Sequence, residues 1–117
     1  MKRNLRLTSS IDIKRVRRSG TSLAHPLLVL YFLRNERGRT LYAVSAGKSV
    51  GKAVKRNRAK RLIRAALQPL VPEIKQGYDI VITAREPLAA SNCQETQNAL
   101  KSLFEEANLF KDDENRD

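Results

Sequence analysis

Tryptophan is absent, cysteine, histidine and methionine occur once each, and aromatic residues make up 5% of the 117-residue chain. A lone Cys93 cannot form an internal disulfide, and no Cys/His cluster offers metal-ligand spacing. A reducing compartment is therefore expected. No apolar run approaches the roughly 18 residues that span a bilayer, and Met1–Thr8 lacks the apolar core of a signal peptide. The expectation is a soluble cytoplasmic protein with no membrane partner and no small-molecule substrate. Acidic residues are missing where their absence matters most, since none occurs from Arg37 to Pro72. A self-sufficient nuclease needs a carboxylate cluster for metal or an acid-base pair, and the first 67 residues hold only Asp12 and Glu36.

What is present is positive charge. The chain carries +11, with residues 1–67 at +16 and residues 68–117 at −5. A merely solubilising charge would be scattered, whereas one confined to half of the chain suits a face that meets phosphates. The length fits one domain, here 1–111, with a basic, loosely ordered arm over 1–8 and an acidic tail over 112–117. The tail reads as a solvated end that could shield the basic face from wrong partners.

Element signals follow in order. Ser10 as N-cap and Gly20 as stop bound a short first helix. His25-Pro26, a surface turn, introduces the strand Leu27–Leu33. After the turn Arg34–Arg39, the strand Leu41–Ala46 is expected to pair back as a hairpin. From Val50 the apolar period becomes helical, with Ala59, Leu62, Ile63, Ala66, Leu67 and Leu70 on one stripe. Pro69 and Pro72 end that helix, and Tyr78–Thr83 reads as a central strand. A capping box at Ser91–Glu95 opens a last helix whose stripe is Cys93, Leu100, Leu103, Phe104 and Ala107.

The candidate site is the middle helix. Lys52–Arg64 holds seven cations in thirteen residues, and Asn57, Arg58, Lys60, Arg61 and Arg64 fall opposite the stripe. Lys52, Lys55 and Arg56 fall nearer the apolar side, so the first turn should overhang the sheet's end. Each like-charge pair three or four apart costs about 0.2 to 0.5 kcal/mol, and a bland solvated face would interleave glutamates to relieve it. Seven charges along roughly 18 Å of helix match the scale of a nucleic-acid backbone, and arginine suits phosphates and base edges.

Val50-Gly-Lys-Ala-Val-Lys-Arg-Asn-Arg-Ala-Lys-Arg-Leu-Ile-Arg64 resembles the Arg-Asn-Arg signature of the bacterial ribonuclease P protein component. The resemblance extends to Arg6-Leu7, Ser10–Gly20, Leu30-Tyr31, Asp79–Arg85 and the Leu-Phe pairs near the end. It implies a subunit that binds a catalytic RNA, ribonuclease P RNA, and helps it remove the 5′ leader of precursor transfer RNA. The RNA and its bound Mg2+ would carry the catalysis, and the protein alone would be inactive. The implied fold is α+β, a small two-layer sandwich of helix, strands, helix, strand, helix, with a left-handed βαβ crossover. General chirality would favour the opposite hand. By the same resemblance, Lys52, Lys55, Arg56, Asn57, Arg58, Lys60, Arg61 and Arg64 would meet the RNA subunit. Ile13, Arg17, Tyr31, Lys48 and Phe110 would line the leader cleft. Two features depart from the family pattern: Ile13 and Arg17 stand where phenylalanines are usual, and Ser45–Ser49 has one lysine of the usual pair. Weaker stacking on the leader follows. The alternative in another class is a structural RNA-binding protein such as a ribosomal component, against which the helix motif argues.

Overall fold

The computed structural model describes residues 2–112, so the expected acidic tail beyond Asp112 lies outside the described residues. The elements in order are α1 (Ser10–Ser19), β1 (Thr21–Ala24), β2 (Leu28–Arg34), β3 (Leu41–Ala46), α2 (Ala53–Leu67), β4 (Tyr78–Ala84) and α3 (Cys93–Glu106). Short 3-10 turns occupy Arg3–Leu5, Lys48–Val50, Gln68–Glu73 and Glu86–Ala90.

The sheet runs β1-β2-β4-β3. β4 pairs antiparallel with β2 and parallel with β3, so β3 and β2 are not a hairpin, contrary to the sequence expectation. The reason lies in the loop between them. Thr40, almost fully buried, accepts Tyr78 N–H and donates its hydroxyl to Lys75 O at 2.6 Å, while Asn35 N–H donates to Gly77 O. These bonds seat the start of β4 between the two strands. Ile80-Val81-Ile82, all fully buried, thereby lie between β2 and β3. β3–α2–β4 is the parallel crossover unit.

Alternation in the strands divides the core in two. Leu28, Leu30, Tyr42, Ile80 and Ile82 face α2 and α3, with Ala59, Ile63, Ala66, Leu67, Leu100, Leu103 and Phe104. Sheet, α2 and α3 form the main two layers. On the opposite face Val81, Leu41 and Ala43 meet Val16 and Ile13 of α1 together with Leu7, so α1 adds a partial third layer.

Several local expectations change. Strand β1 was not signalled, because Thr21-Ser-Leu-Ala is short and mostly exposed and forms only by pairing with β2. The N-cap of α1 is Ser9, whose hydroxyl accepts Asp12 N–H. The arm is docked at Leu5–Leu7 and not loose there: Leu7 is buried and its N–H donates to Tyr42 O at 2.7 Å, protecting the β3 edge. Helix α2 begins at Ala53 after a turn at Gly51, whose φ of 132° suits glycine. Cys93 is exposed beside the Asn92 N-cap, Ala107 lies past the end of α3, and Leu62 is only half-buried. The α3 stripe starts instead at the buried Thr96 and Ala99.

Gly20 is a packing requirement, since a Cβ there would lie 2.5 Å from Val16 O and 2.6 Å from Phe32 O. Both obstacles are backbone. Gly20→Ala should therefore lower unfolding stability by about 1–3 kcal/mol, the scale of overpacking, in a denaturant titration. Unchanged stability would show that α1 can shift off β2 freely.

Candidate nucleic-acid interface

The two faces of the fold carry two different candidate surfaces. On the first, α2 buries one stripe and presents cations on the other: Lys52, Lys55, Asn57, Arg58 and Arg61 are exposed, and Arg56, Lys60 and Arg64 are half-buried. Arg56 Nε is enclosed without a hydrogen-bond partner, as expected of a residue on the apolar side of the wheel. The first turn projects beyond the core, with Val54 78% exposed. Lys52 occupies the N-cap and offers no acceptor, and no acid lies in the first turn. By contrast α1 and α3 are capped by Ser9 and Asn92 and carry Asp12 and Glu95. The α2 N-terminus thus keeps free N–H groups and an uncompensated positive dipole end, ringed by cations, which favours an anion.

One residue of this set has a structural duty that the helical wheel could not show. Arg58 Nε donates to Ala89 O at 2.9 Å and so ties α2 to the turn that follows β4. It is not free for RNA alone.

The second surface is the groove between α1 and the sheet. Register places Tyr31 beside Val81 and Val81 beside Ala43, and in the next row Val29, Thr83 and Ser45. Ile13 packs beside Tyr31 and Ala43. Arg17 lays its guanidinium on the second row, donating to Ser45 Oγ at 2.6 Å and Thr83 Oγ1 at 3.4 Å, with the two hydroxyls 2.9 Å apart. Ile13, Arg17 and Tyr31 are therefore brought to one face, and Lys48 is exposed in the turn after β3. Phe110 is not brought there. Half-buried, it bridges Ile74 and packs on Phe104, ring centroids 5.7 Å apart, against the core of the other face. An aromatic near the C-terminus has no periodic signal that tells which face it will join.

What fixes α1 over this groove lies in the β2–β3 loop and was read from sequence only as a turn. Arg37 Nη1 donates to Asp79 Oδ1 at 2.6 Å and Nη2 to Asp12 Oδ2 at 2.8 Å, while Asn35 also donates to Asp79. Asp79 is 5% exposed. Its hydrogen bond to Arg37, followed by that of Asp12, raises the guanidinium pKa above its ordinary value. The clamp's cation therefore stays charged at every pH below the usual guanidinium range and is lost only above it. The signal available in sequence was weak: two acids in a basic segment, one on a helix and one on a strand.

Among the described residues no group of three or more His, Cys, Asp or Glu could hold a metal ion, and Asp12 and Asp79 are both committed to Arg37. No helix among the described residues is long and apolar enough to cross a membrane.

A basic, uncapped helix on one side of an α+β sheet and a polar-lined groove on the other define a nucleic-acid-binding protein. Residues 1–108 match the family model of Ribonuclease P. The Clostridium botulinum (strain Eklund 17B) ribonuclease P protein component is 38% identical, covering 94% of each chain, and that of Oceanobacillus iheyensis is 36% identical, covering 99% of this chain and 97% of its own. Among solved structures, the Staphylococcus aureus RNase P protein superimposes with a TM-score of 0.81 at 30% identity, over 92% of this chain and 98% of its own. The Thermotoga maritima protein gives 0.76 at 25% identity, over 86% and 96%. The chain belongs to the ribonuclease P protein family, the protein components of a ribonucleoprotein endoribonuclease that acts in transfer RNA processing. Nothing in these likenesses favours a ribosomal component.

Removing the clamp should free α1 without unfolding the other layers. Arg37→Ala should speed amide hydrogen exchange roughly tenfold in α1, with α3 amides unchanged, because the clamp joins α1, β4 and the β2–β3 loop and does not touch α3. Equal acceleration in both helices would show that the clamp holds the whole fold.

Proposed function

We propose that this protein binds ribonuclease P RNA through α2 and the 5′ leader of precursor transfer RNA through the α1 groove, in the cytoplasm. The observation that carries this reading is α2 itself: six cations with a seventh, Lys52, at its N-cap, no side-chain cap hydrogen bond and no acid in its first turn. A helix so arranged repels itself in isolation and becomes favourable opposite phosphates. Lys52, Lys55, Arg56, Asn57, Arg58, Lys60, Arg61 and Arg64 contribute this surface.

Leader binding rests on Ile13, Arg17, Tyr31 and Lys48, with Phe110 withdrawn from the set because it packs in the opposite core. Arg17 offers a planar cation over a polar floor of Ser45 and Thr83, a surface on which an unpaired base can stack and a phosphate can be paired. Mg2+, held mainly by the RNA subunit, supplies charge neutralisation and an activated water for hydrolysis. The protein's part is to position the leader, and its own residues hold no proton-transfer role.

The purified protein should leave precursor transfer RNA intact and should raise turnover at moderate Mg2+ when mixed with a bacterial ribonuclease P RNA. Cleavage by protein alone that persists through repurification and nuclease treatment would refute this.

Within α2, Arg61 is the cleaner probe because Arg58 also anchors Ala89. Arg61→Ala should weaken RNA-subunit binding by about 1.5–3 kcal/mol and flatten the salt slope by about one, with unfolding unaffected. Arg58→Ala should add a stability loss of about 1 kcal/mol for the missing bond. An Arg61→Ala protein with unaltered affinity and salt slope would mean that this arc faces solvent in the complex.

In the groove, Arg17→Ala should cost roughly 1–3 kcal/mol of the discrimination between precursor and mature transfer RNA, the scale of one stacked base. Arg17→Phe should keep most of it while lowering its salt slope by about one. Holoenzyme affinities for both RNAs across a salt series read this directly, and an unchanged affinity ratio in Arg17→Ala would remove the leader from α1.

A further inference from the structure

Helix α1 is held at its two ends by different means. At the C-terminal end Gly20 lies against β2 so closely that a Cβ would stand 2.6 Å from Phe32 O, and Arg17 adds its bonds to Ser45 and Thr83. In the middle Val16 is fully buried in one cluster with Val81. At the N-terminal end the tie is polar: Asp12 accepts from Arg37 Nη2 at 2.8 Å, and the same guanidinium donates through Nη1 to Asp79 Oδ1 of β4 at 2.6 Å. One planar group thus spans two carboxylates on two elements. Arg15 also pairs with Asp12, at 3.2 Å, but it stands on the same helix and cannot tie α1 to the sheet.

The two α1 residues of the groove lie between these ends. At about 1.5 Å of rise per residue, Ile13 stands roughly 10 Å along the helix from Gly20 and Arg17 roughly 5 Å. A helix released at Asp12 and still seated at Gly20 turns about its C-terminal end, so Ile13 is displaced about twice as far as Arg17. Ile13 packs beside Tyr31 and Ala43, and the groove loses its shape there first.

We propose that Arg37 is a positioning residue for substrate selection: touching neither RNA surface, it fixes the angle of α1 and thereby sets the preference for precursor over mature transfer RNA. The proposal rests on the leader reading of the groove. Arg37 supplies preorganisation, because a helix already fixed leaves less order to be imposed when a strand binds. The fork performs this and the charge alone does not. A lysine ammonium is a point charge on a flexible stem and cannot hold both carboxylates in the same fixed geometry. For Asp12 two physical effects have opposite signs. Removing a negative charge from a basic protein favours a polyanion by its field alone, whereas removing the acceptor that holds α1 disfavours a strand in the groove.

The test uses holoenzyme reconstituted with ribonuclease P RNA, with affinities measured for precursor and mature transfer RNA. Wild type, Arg37→Ala, Arg37→Lys, Asp12→Ala and Arg17→Ala are compared. Each of the three clamp variants is expected to lower the ratio of precursor to mature affinity about tenfold, within the range by which residues remote from a ligand modulate its binding. Affinity for mature transfer RNA and for the RNA subunit should stay at the wild-type value, which a general loss of stability would not leave unmoved. Arg37→Lys at the wild-type ratio would show that Arg37 acts only as a charge and would overturn the proposal. Tighter precursor binding by Asp12→Ala, or equal loss for precursor and mature RNA, overturns it as well. Should Arg37→Ala fold poorly, Asp12→Ala is read by the same criterion, since it leaves the Arg37–Asp79 pair in place. If Arg17→Ala lowers the ratio and no clamp variant does, the positioning role fails and the groove reading stands. If the clamp variants lower it and Arg17→Ala does not, the positioning role stands and the groove reading at Arg17 fails. No change in any variant removes both.

Discussion

Helix α2 survives its own charge because its other face is nailed to the sheet. Repulsion among neighbouring cations such as Arg56/Lys60, Lys60/Arg64 and Arg58/Arg61 costs about 0.2–0.5 kcal/mol per pair, so the three together cost on the order of 1 kcal/mol. Ile63 and Leu67 are fully buried, and burying such side chains is worth about 1.5–3 kcal/mol each. Packing wins by several-fold, and the cations can then be placed for a partner and not for the helix. The same logic explains why the N-terminus of α2 can stay uncapped: a missing cap costs about 1 kcal/mol, which the buried stripe also covers.

Placing β4 between β2 and β3 makes this arrangement two-sided. A central strand presents one row of side chains to α2 and α3 and the alternate row to α1, so a single segment, Tyr78–Ala84, positions both candidate RNA surfaces. Asp79 at its start receives Arg37 and Asn35, and through Arg37 it holds Asp12 of α1. The groove's geometry therefore depends on an ion-paired loop that contacts neither surface. Buried Asp79 has enough polar partners to offset its desolvation, which an isolated carboxylate there would not.

How much of this could be read from the chain divides along a physical line. Features set by short-range periodicity were legible: the α2 stripe, the central-strand character of Ile80-Val81-Ile82, the Asn92–Glu95 capping box, and the basic arc opposite Ala59 and Ile63. Features set by long-range choice were not. Leu41–Ala46 has the pattern of a hairpin partner for β2, and bonds from the buried Thr40 to residues 35 and 38 positions away, with Asn35 N–H to Gly77 O, seat β4 between them. Cys93 shares the helical phase of Leu100 and Phe104 but sits in the first turn of α3, where the helix overruns the core. Phe110 was assigned to the wrong face, since no period reaches it past the positive φ of Asn108. Of the candidate surfaces, the basic face of α2 was legible as a whole, although Lys60 and Arg64 of the expected solvent arc are half-buried and Lys52 and Lys55 of the expected apolar side are exposed, whereas the groove needed the family resemblance to suggest Ile13, Arg17 and Tyr31.

Arg17 shows what a departure from a family pattern requires of its surroundings. A phenylalanine at this position would bury its ring against the sheet and would leave the hydroxyls of Ser45 and Thr83 facing an apolar edge. An arginine meets both hydroxyls. The guanidinium's plane is held by these bonds before any RNA arrives, so less rotamer freedom is lost when a base stacks on it. Its remaining donors can reach a phosphate without giving up the Ser45 bond, because a guanidinium has five N–H groups and the structure commits one nitrogen, Nη2. Lower aromatic content in the groove is thus offset by a preorganised cation, and the stacking surface is retained in a form that also answers to salt.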